Sequence, residues 1–216
     1  MKYSKLAMLN FMALCCVLGM FTKKLINPFA NVITELLHIP GGISTGFSIM
    51  FLVIATEVVK GKNYDMKDSV LRRCGTLMGV VQGVLSLALG RVGSMGLLMP
   101  IGFLVPGMTI DLVYGLQKYI KLSQTERMVF ANALAAVAAS VTANLIVFHL
   151  RGPVLGLYLC VSGVSGSLYG FLASSVVARL YPMYRHQMNE TMKKENIKKR
   201  NIKKRNIKKE NMNVRS

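Results

Sequence analysis

The sequence predicts an all-α integral membrane bundle of six transmembrane helices with both termini cytoplasmic. Three observations predict it. Hydrophobic residues fill 52% of the 216 positions even though 27 of them are Lys or Arg. The apolar residues gather into runs close to the roughly 20 helical residues needed to cross a hydrocarbon core about 30 Å thick. The charges fall in the gaps between those runs, and the basic ones collect on alternate gaps.

The predicted spans are Leu6 to Ile26, Ile43 to Val59, Cys74 to Gly90, Ser94 to Gln117, Met128 to Leu150 and Val154 to Leu180. The first follows Lys2 and Lys5 and closes at Lys23 and Lys24 without a small-residue cleavage site, so it reads as an uncleaved span rather than a signal peptide. Residues 27–42 form the long connection after it, bracketed by Asn27-Pro28 and Pro40-Gly41-Gly42, which disfavour helix. That segment reads either as a lid or re-entrant piece or as an interfacial helix joining two spans. The second and third spans are short. The fourth contains Pro100 and Pro106-Gly107, which predict a kinked or broken helix that either lines a site or serves packing. Residues 1–182 make up the membrane domain, and residues 183–216 a low-complexity cytoplasmic tail.

Orientation follows from the gaps. One side collects Lys2, Lys5, Lys60, Lys62, Lys67, Arg72, Arg73, Lys118, Lys121, Arg127 and Arg179 with the tail, whereas the other has only Lys23, Lys24, Arg91 and Arg151. The basic side faces the cytoplasm. Tyr3, Tyr64, Tyr114, Tyr119, Tyr181 and Tyr184 sit near span ends and supply an aromatic belt in a chain with no Trp.

In lipid, helices associate through close packing and hydrogen bonds, and small residues let backbones approach. Stripes at four-residue spacing occur at Gly75, Gly79 and Gly83, at Ala131, Ala135, Ala139 and Ala143, and at Ser162, Gly166, Gly170, Ser174 and Ala178. Such stripes serve packing within one chain or docking of another. Ser162, Gly166, Gly170 and Ser174 are the candidate partner-docking face.

Polar side chains at membrane depth face protein or water-filled space. On the predicted outer side these are Asn27, Asn31, Glu35, His38, Gln82, Arg91, Asn144, His149, Arg151 and Tyr158, the candidate binding set for a small polar molecule. Asn132 shares a stripe with Asn144, and singly each Asn reads as a helix-to-helix hydrogen bond. Glu57 and Asp111 lie toward the inner side, where Arg72, Arg73 or Arg127 could neutralise them. Cys15, Cys16, Cys74 and Cys160 have no metal-ligand spacing and read as packing residues. Neither P-loop, HExxH nor GxSxG is present, His38, His149 and His186 form no cluster, and no enzyme activity, metal or cofactor is expected.

Residues 185–216 carry Asn-Ile-Lys-Lys repeats beginning at Asn196, Asn201 and Asn206. A five-residue period keeps no helical face constant. Anionic lipid is the expected contact of this tail, nucleic acid is disfavoured, and a solvated extension without function is the bland alternative.

Over about residues 1–182 the chain resembles the substrate-binding (S) subunits of energy-coupling-factor (ECF) transporters, which are ABC-type systems. The resemblance rests on size, span number, the connection Asn27-Pro28 through Ile39-Pro40-Gly41-Gly42, the run Gly75 to Gly83, and Pro106-Gly107-Met108-Thr109-Ile110-Asp111. It implies uptake of a vitamin or vitamin precursor from outside. It also implies as partners a shared transmembrane coupling subunit and two ATPase subunits, in the cell membrane. Many members present an Ala-x-x-x-Ala patch on the first span. Here Ala7 and Ala13 lie six apart, and residue 2 is Lys rather than the His of metal-specific relatives. A stand-alone secondary transporter or channel and a ligand-free scaffold are the competing readings.

Overall fold

A computed structural model describes residues 5–36, 43–60, 72–90, 93–117 and 119–180. Among them the chain is helical, with no strand. In chain order the helices are α1 (Lys5–Leu36), α2 (Ile43–Lys60), α3 (Cys74–Ala88), a 3-10 segment (Gly93–Leu98), α4 (Met99–Leu116), α5 (Gln124–Ala143) extended by a π-turn (Asn144–Phe148), and α6 (Pro153–Leu180). The chain divides into two units. The first, ending at Val177, holds the helices described below, and of the second only the last residues of α6 are described.

Among the described residues three segments are long and apolar enough to cross a membrane: Met95–Leu116, Gln124–Phe148 and Pro153–Leu180. Met8–Thr22 and Cys74–Ala88 are shorter apolar helices. Leu14, Phe21, Val84, Leu112, Leu145, Leu168 and Phe171 are exposed, the side-chain chemistry of a lipid-facing surface. These features suggest a membrane protein.

The first helix differs from expectation. Asn27-Pro28 does not end it, and α1 runs through Pro28 to Leu36, so residues 27–36 continue the first helix. The proline ring fixes φ near its helical value and deprives only the Lys24 carbonyl of its amide partner, a loss a long helix tolerates. The rest of the expected connection, residues 37–42, lies outside the described residues. At α5 the helix begins earlier than its apolar run. The Ser123 hydroxyl accepts the Glu126 amide at 3.3 Å, and the Glu126 carboxylate accepts the Ser123 amide at 2.9 Å. This reciprocal cap satisfies two donors that the helix start would leave free.

Backbone contact joins the helices in pairs. The Gly75, Gly79 and Gly83 stripe packs on α4, and a methyl group added at Gly79 would sit 2.5 Å from the Phe103 carbonyl oxygen. Only glycine allows that approach. Asn132, fully buried on α5, donates to the Gly166 carbonyl on α6 at 2.7 Å and to the Gly46 carbonyl on α2 at 3.3 Å. One amide thus bridges three helices.

Charges tie the other contacts. Glu57 on α2 accepts Nε of Arg127 at 3.0 Å, a second guanidinium bond from Nη2, and the Tyr114 hydroxyl at 2.8 Å. The Arg127 guanidinium also lies over the Tyr114 ring, 5.4 Å from its centroid. One turn away, Asp111 on α4 pairs with Lys60 at 2.5 Å and accepts the backbone amides of Gly75 at 3.1 Å and Thr76 at 2.7 Å. The Thr76 hydroxyl adds a fourth bond at 2.7 Å. Arg73, at the N-cap position of α3, makes no side-chain cap, so a carboxylate from a neighbouring helix performs that role. Free amides and the helix dipole at an N-terminus both favour a negative charge there.

Asp111→Asn keeps the shape but removes the charge facing Lys60 and the α3 amides. It should lower unfolding free energy by about 2–3 kcal/mol, read by thermal or denaturant unfolding in detergent, and Asp111→Ala should cost at least as much. Wild-type stability of Asp111→Asn would show that the cap contributes nothing.

Candidate functional site

Of the ten predicted binding residues, Gln82, Asn144, His149, Arg151 and Tyr158 have described side chains. Asn27, Asn31 and Glu35 lie on the last turns of α1, with side chains outside the described residues, and His38 and Arg91 lie outside them altogether. Asn144 serves its own turn. Its carboxamide oxygen accepts the Leu150 amide at 2.7 Å, and its backbone carbonyl accepts the His149 amide at 2.8 Å. These bonds hold the π-turn, in which His149 takes a left-handed conformation with φ 51°. His149 and Arg151 are exposed on that turn. Tyr158 is buried and packs edge-on against Phe148 at 5.9 Å between ring centroids. The Ser140 and Ser162 hydroxyls are hydrogen-bonded to each other at 2.5 Å between α5 and α6.

Gln82 is where the structure brings polar chemistry to open space. It is buried on α3 and donates its amide nitrogen to the Cys16 carbonyl on α1 at 3.2 Å. Beside it a cavity of about 20 Å³ is lined by Thr45, Ser48, Ile49, Leu52, Gln82, Gly102, Phe103 and Pro106. That volume holds about one water molecule, because a cavity needs roughly 10–15 Å³ for one. Pockets for drug-sized ligands run from about 300 Å³ upward. In this conformation the cavity accepts a single small group.

Sequence reading singled out Gln82 and the proline-containing fourth span but missed Thr45 and Ser48, and the break it expected at Pro106 does not occur. The available signal was a pair of hydroxyls three residues apart, which places them on one face of an otherwise apolar run. Pro106 is buried on α4, which continues helically through it.

The candidate docking stripe is already occupied. Ser162, Gly166, Gly170 and Ser174 are all buried. A methyl group added at Gly170 would lie 2.6 Å from the Val129 Cα, and one at Gly166 would lie 2.9 Å from the Ala133 Cα. The stripe therefore packs α6 against α5 inside the chain and is not offered to another subunit. Its small residues are used for backbone approach between two neighbouring helices. Among the described residues no group of three His, Cys, Asp or Glu side chains could hold a metal ion.

No family model, no curated protein and no solved structure matches the chain.

Gly166→Leu should therefore destabilise the isolated protein. Overpacking of this kind typically costs about 1–3 kcal/mol, and the lowered unfolding midpoint should be seen with no partner present. An unchanged midpoint would mean that this face of α6 is open.

Proposed function

We propose that the chain is a six-span subunit of the cell membrane, both termini cytoplasmic, that binds a small nutrient of the vitamin or vitamin-precursor class for uptake. Energy would come from two separate ATPase subunits through a membrane coupling subunit, as the resemblance to ECF S subunits implies. The observation that carries the reading is the cavity at Gln82. With the basic gaps facing the cytoplasm, Thr45 and Ser48 fall near the outer end of α2, Gln82 in the outer half of α3, and Gly102 in the outer half of α4. Polar groups around open space, in the half of the bundle that faces the supply of nutrient, suit a binding subunit better than a scaffold. A scaffold gains nothing from a gap in its packing.

The cavity as it stands admits one small group, so a nutrient must part α2 from α4 to enter. The outer half suits such movement. Among the described residues its contacts there, Gln82 to Cys16 and Ser48 to Thr45, are neutral hydrogen bonds, whereas the Lys60–Asp111 and Arg127–Glu57 ion pairs lie at the inner end.

The test is mass spectrometry of small molecules extracted from protein purified in mild detergent out of nutrient-rich cells. Wild-type protein should retain one compound in near-stoichiometric amount, and Gln82→Leu should lose most of it, by about tenfold or more for one buried hydrogen-bonded group. Extracts without a specific compound from wild-type protein would remove the uptake reading and favour a ligand-free scaffold.

A further inference from the structure

Helices α1 and α2 are fastened to their neighbours differently at the two ends. At the Lys60 end the chain passes from α2 to α3, whose first amides meet Asp111. The Lys60–Asp111 and Arg127–Glu57 ion pairs lie there too, and parting them would strand buried charge. Toward the Thr45 end the polar ties among the described residues are neutral. Asn132 on α5 donates to the Gly46 carbonyl on α2 at 3.3 Å, against 2.7 Å to the Gly166 carbonyl on α6. Gln82 on α3 donates to the Cys16 carbonyl on α1 at 3.2 Å, the Cys16 thiol lies 3.8 Å from the Met78 carbonyl, and Phe47 on α2 meets Tyr169 on α6 edge-on. Gly46 and Cys16 stand inside helices, where each carbonyl also accepts the amide four residues on. Release of these ties therefore leaves no acceptor on α1 or α2 unmet.

Two further observations favour parting at this end. The Asn132 carboxamide oxygen is buried with no hydrogen-bond partner, a cost that water reaching it would relieve. The buried faces of α1 and α2 carry Met8, Met12, Met20 and Met50, unbranched side chains that repack readily when a neighbour moves. Gly46 and Glu57 share a face of α2 and stand about 16 Å apart along it. A rotation of about 10° about Glu57 carries Gly46 through about 3 Å, enough to break the Asn132 bond. The same rotation moves Thr45, Ser48 and Leu52, one wall of the cavity, relative to Gln82 and Phe103 on the other. We infer that α1 and α2 form an arm hinged at its ion-paired Lys60 end, and that Asn132 and Gln82 are the neutral latches that hold its other end closed over the cavity. As the entry step for a nutrient the arm rests on the uptake reading, whereas as a motion it stands on these contacts alone.

Thiol modification of the purified full-length protein in detergent tests this, with N-ethylmaleimide as reagent and peptide mass spectrometry to locate it. Ser48→Cys places a thiol on the cavity wall, and Cys74 is a buried thiol at the Lys60 end. Each rate is divided by that of the same thiol in denatured protein. The introduced thiol should react about tenfold or more faster than Cys74, because its end opens without the other. Gly46→Ala adds a methyl group 3.0 Å from the Tyr169 ring and 3.3 Å from the Gly166 Cα, which wedges α2 away from α6. It should speed the introduced thiol by about fivefold or more while Cys74 stays protected, and if it does not fold, the ratio of the two thiols without it carries the comparison. Equal rates at the two thiols, or a rate at position 48 that Gly46→Ala leaves unchanged, would overturn the hinge. Retention of a compound that depends on Gln82, with equal thiol rates, leaves the uptake reading standing and removes the arm. Unequal rates in protein that retains no compound do the reverse.

Discussion

Moving a carboxylate from water into the interior of a helical bundle costs several kcal/mol, and Glu57 is 4% exposed near the C-terminal end of α2. Arg127 meets it with two guanidinium bonds and Tyr114 adds a hydroxyl, and these contacts offset that cost. The three partners come from α2, α4 and α5, so those helices can adopt only the register that brings the groups together. Any shift by one residue would leave a charge uncompensated where water does not reach. The Asp111 and Lys60 pair repeats the constraint nearby and extends it to α3, whose first amides Asp111 also receives. Two carboxylates thereby fix the relative position of four helices at one end.

Away from those charges the bundle is held by proximity. Gly79 against the Phe103 carbonyl and Gly170 against the Val129 backbone bring helix axes close, so dispersion and weak polar contacts act over long stretches. Such contacts tolerate sliding and parting better than a buried ion pair does. Among the described residues two kinds of cohesion are therefore seen: ion pairs at the Lys60 end and neutral packing at the Thr45 end. The polar cavity lies at the Thr45 end, away from the Lys60–Asp111 and Arg127–Glu57 pairs.

Much of the helical architecture could be read from the chain. The apolar runs of the fourth, fifth and sixth predicted spans coincide closely with the long helices, because in lipid or core an apolar run must satisfy its own backbone. Arg127 as a partner of Glu57 was legible as one of three cations, with Arg72 and Arg73, that the span ends place near that carboxylate. Lys60 as the partner of Asp111 was not, because nothing in the linear order shows that the α2 terminus meets α4. The continuation of α1 through Pro28 escaped reading because one lost hydrogen bond is small beside a helix of 32 residues. The partner of the α6 stripe was hidden for a different reason. Spacing shows that a face is smooth, but whether a neighbour is α5 or another subunit depends on tertiary contact. Asn144 shows the same limit, being a polar residue at the right end of the bundle that is consumed by its own turn.

The account stands on the Glu57 and Arg127 pair acting as a lock between helices, and a double-mutant cycle measures that most directly. Glu57→Leu and Arg127→Met each strand a buried charge and should lower stability in detergent by about 3–5 kcal/mol. The double variant, with no charge left to strand, should fall short of the summed losses by about 2 kcal/mol or more. Losses that add to within about 0.5 kcal/mol would contradict the account, for the two groups would then be independent and the register of α2, α4 and α5 would have another cause.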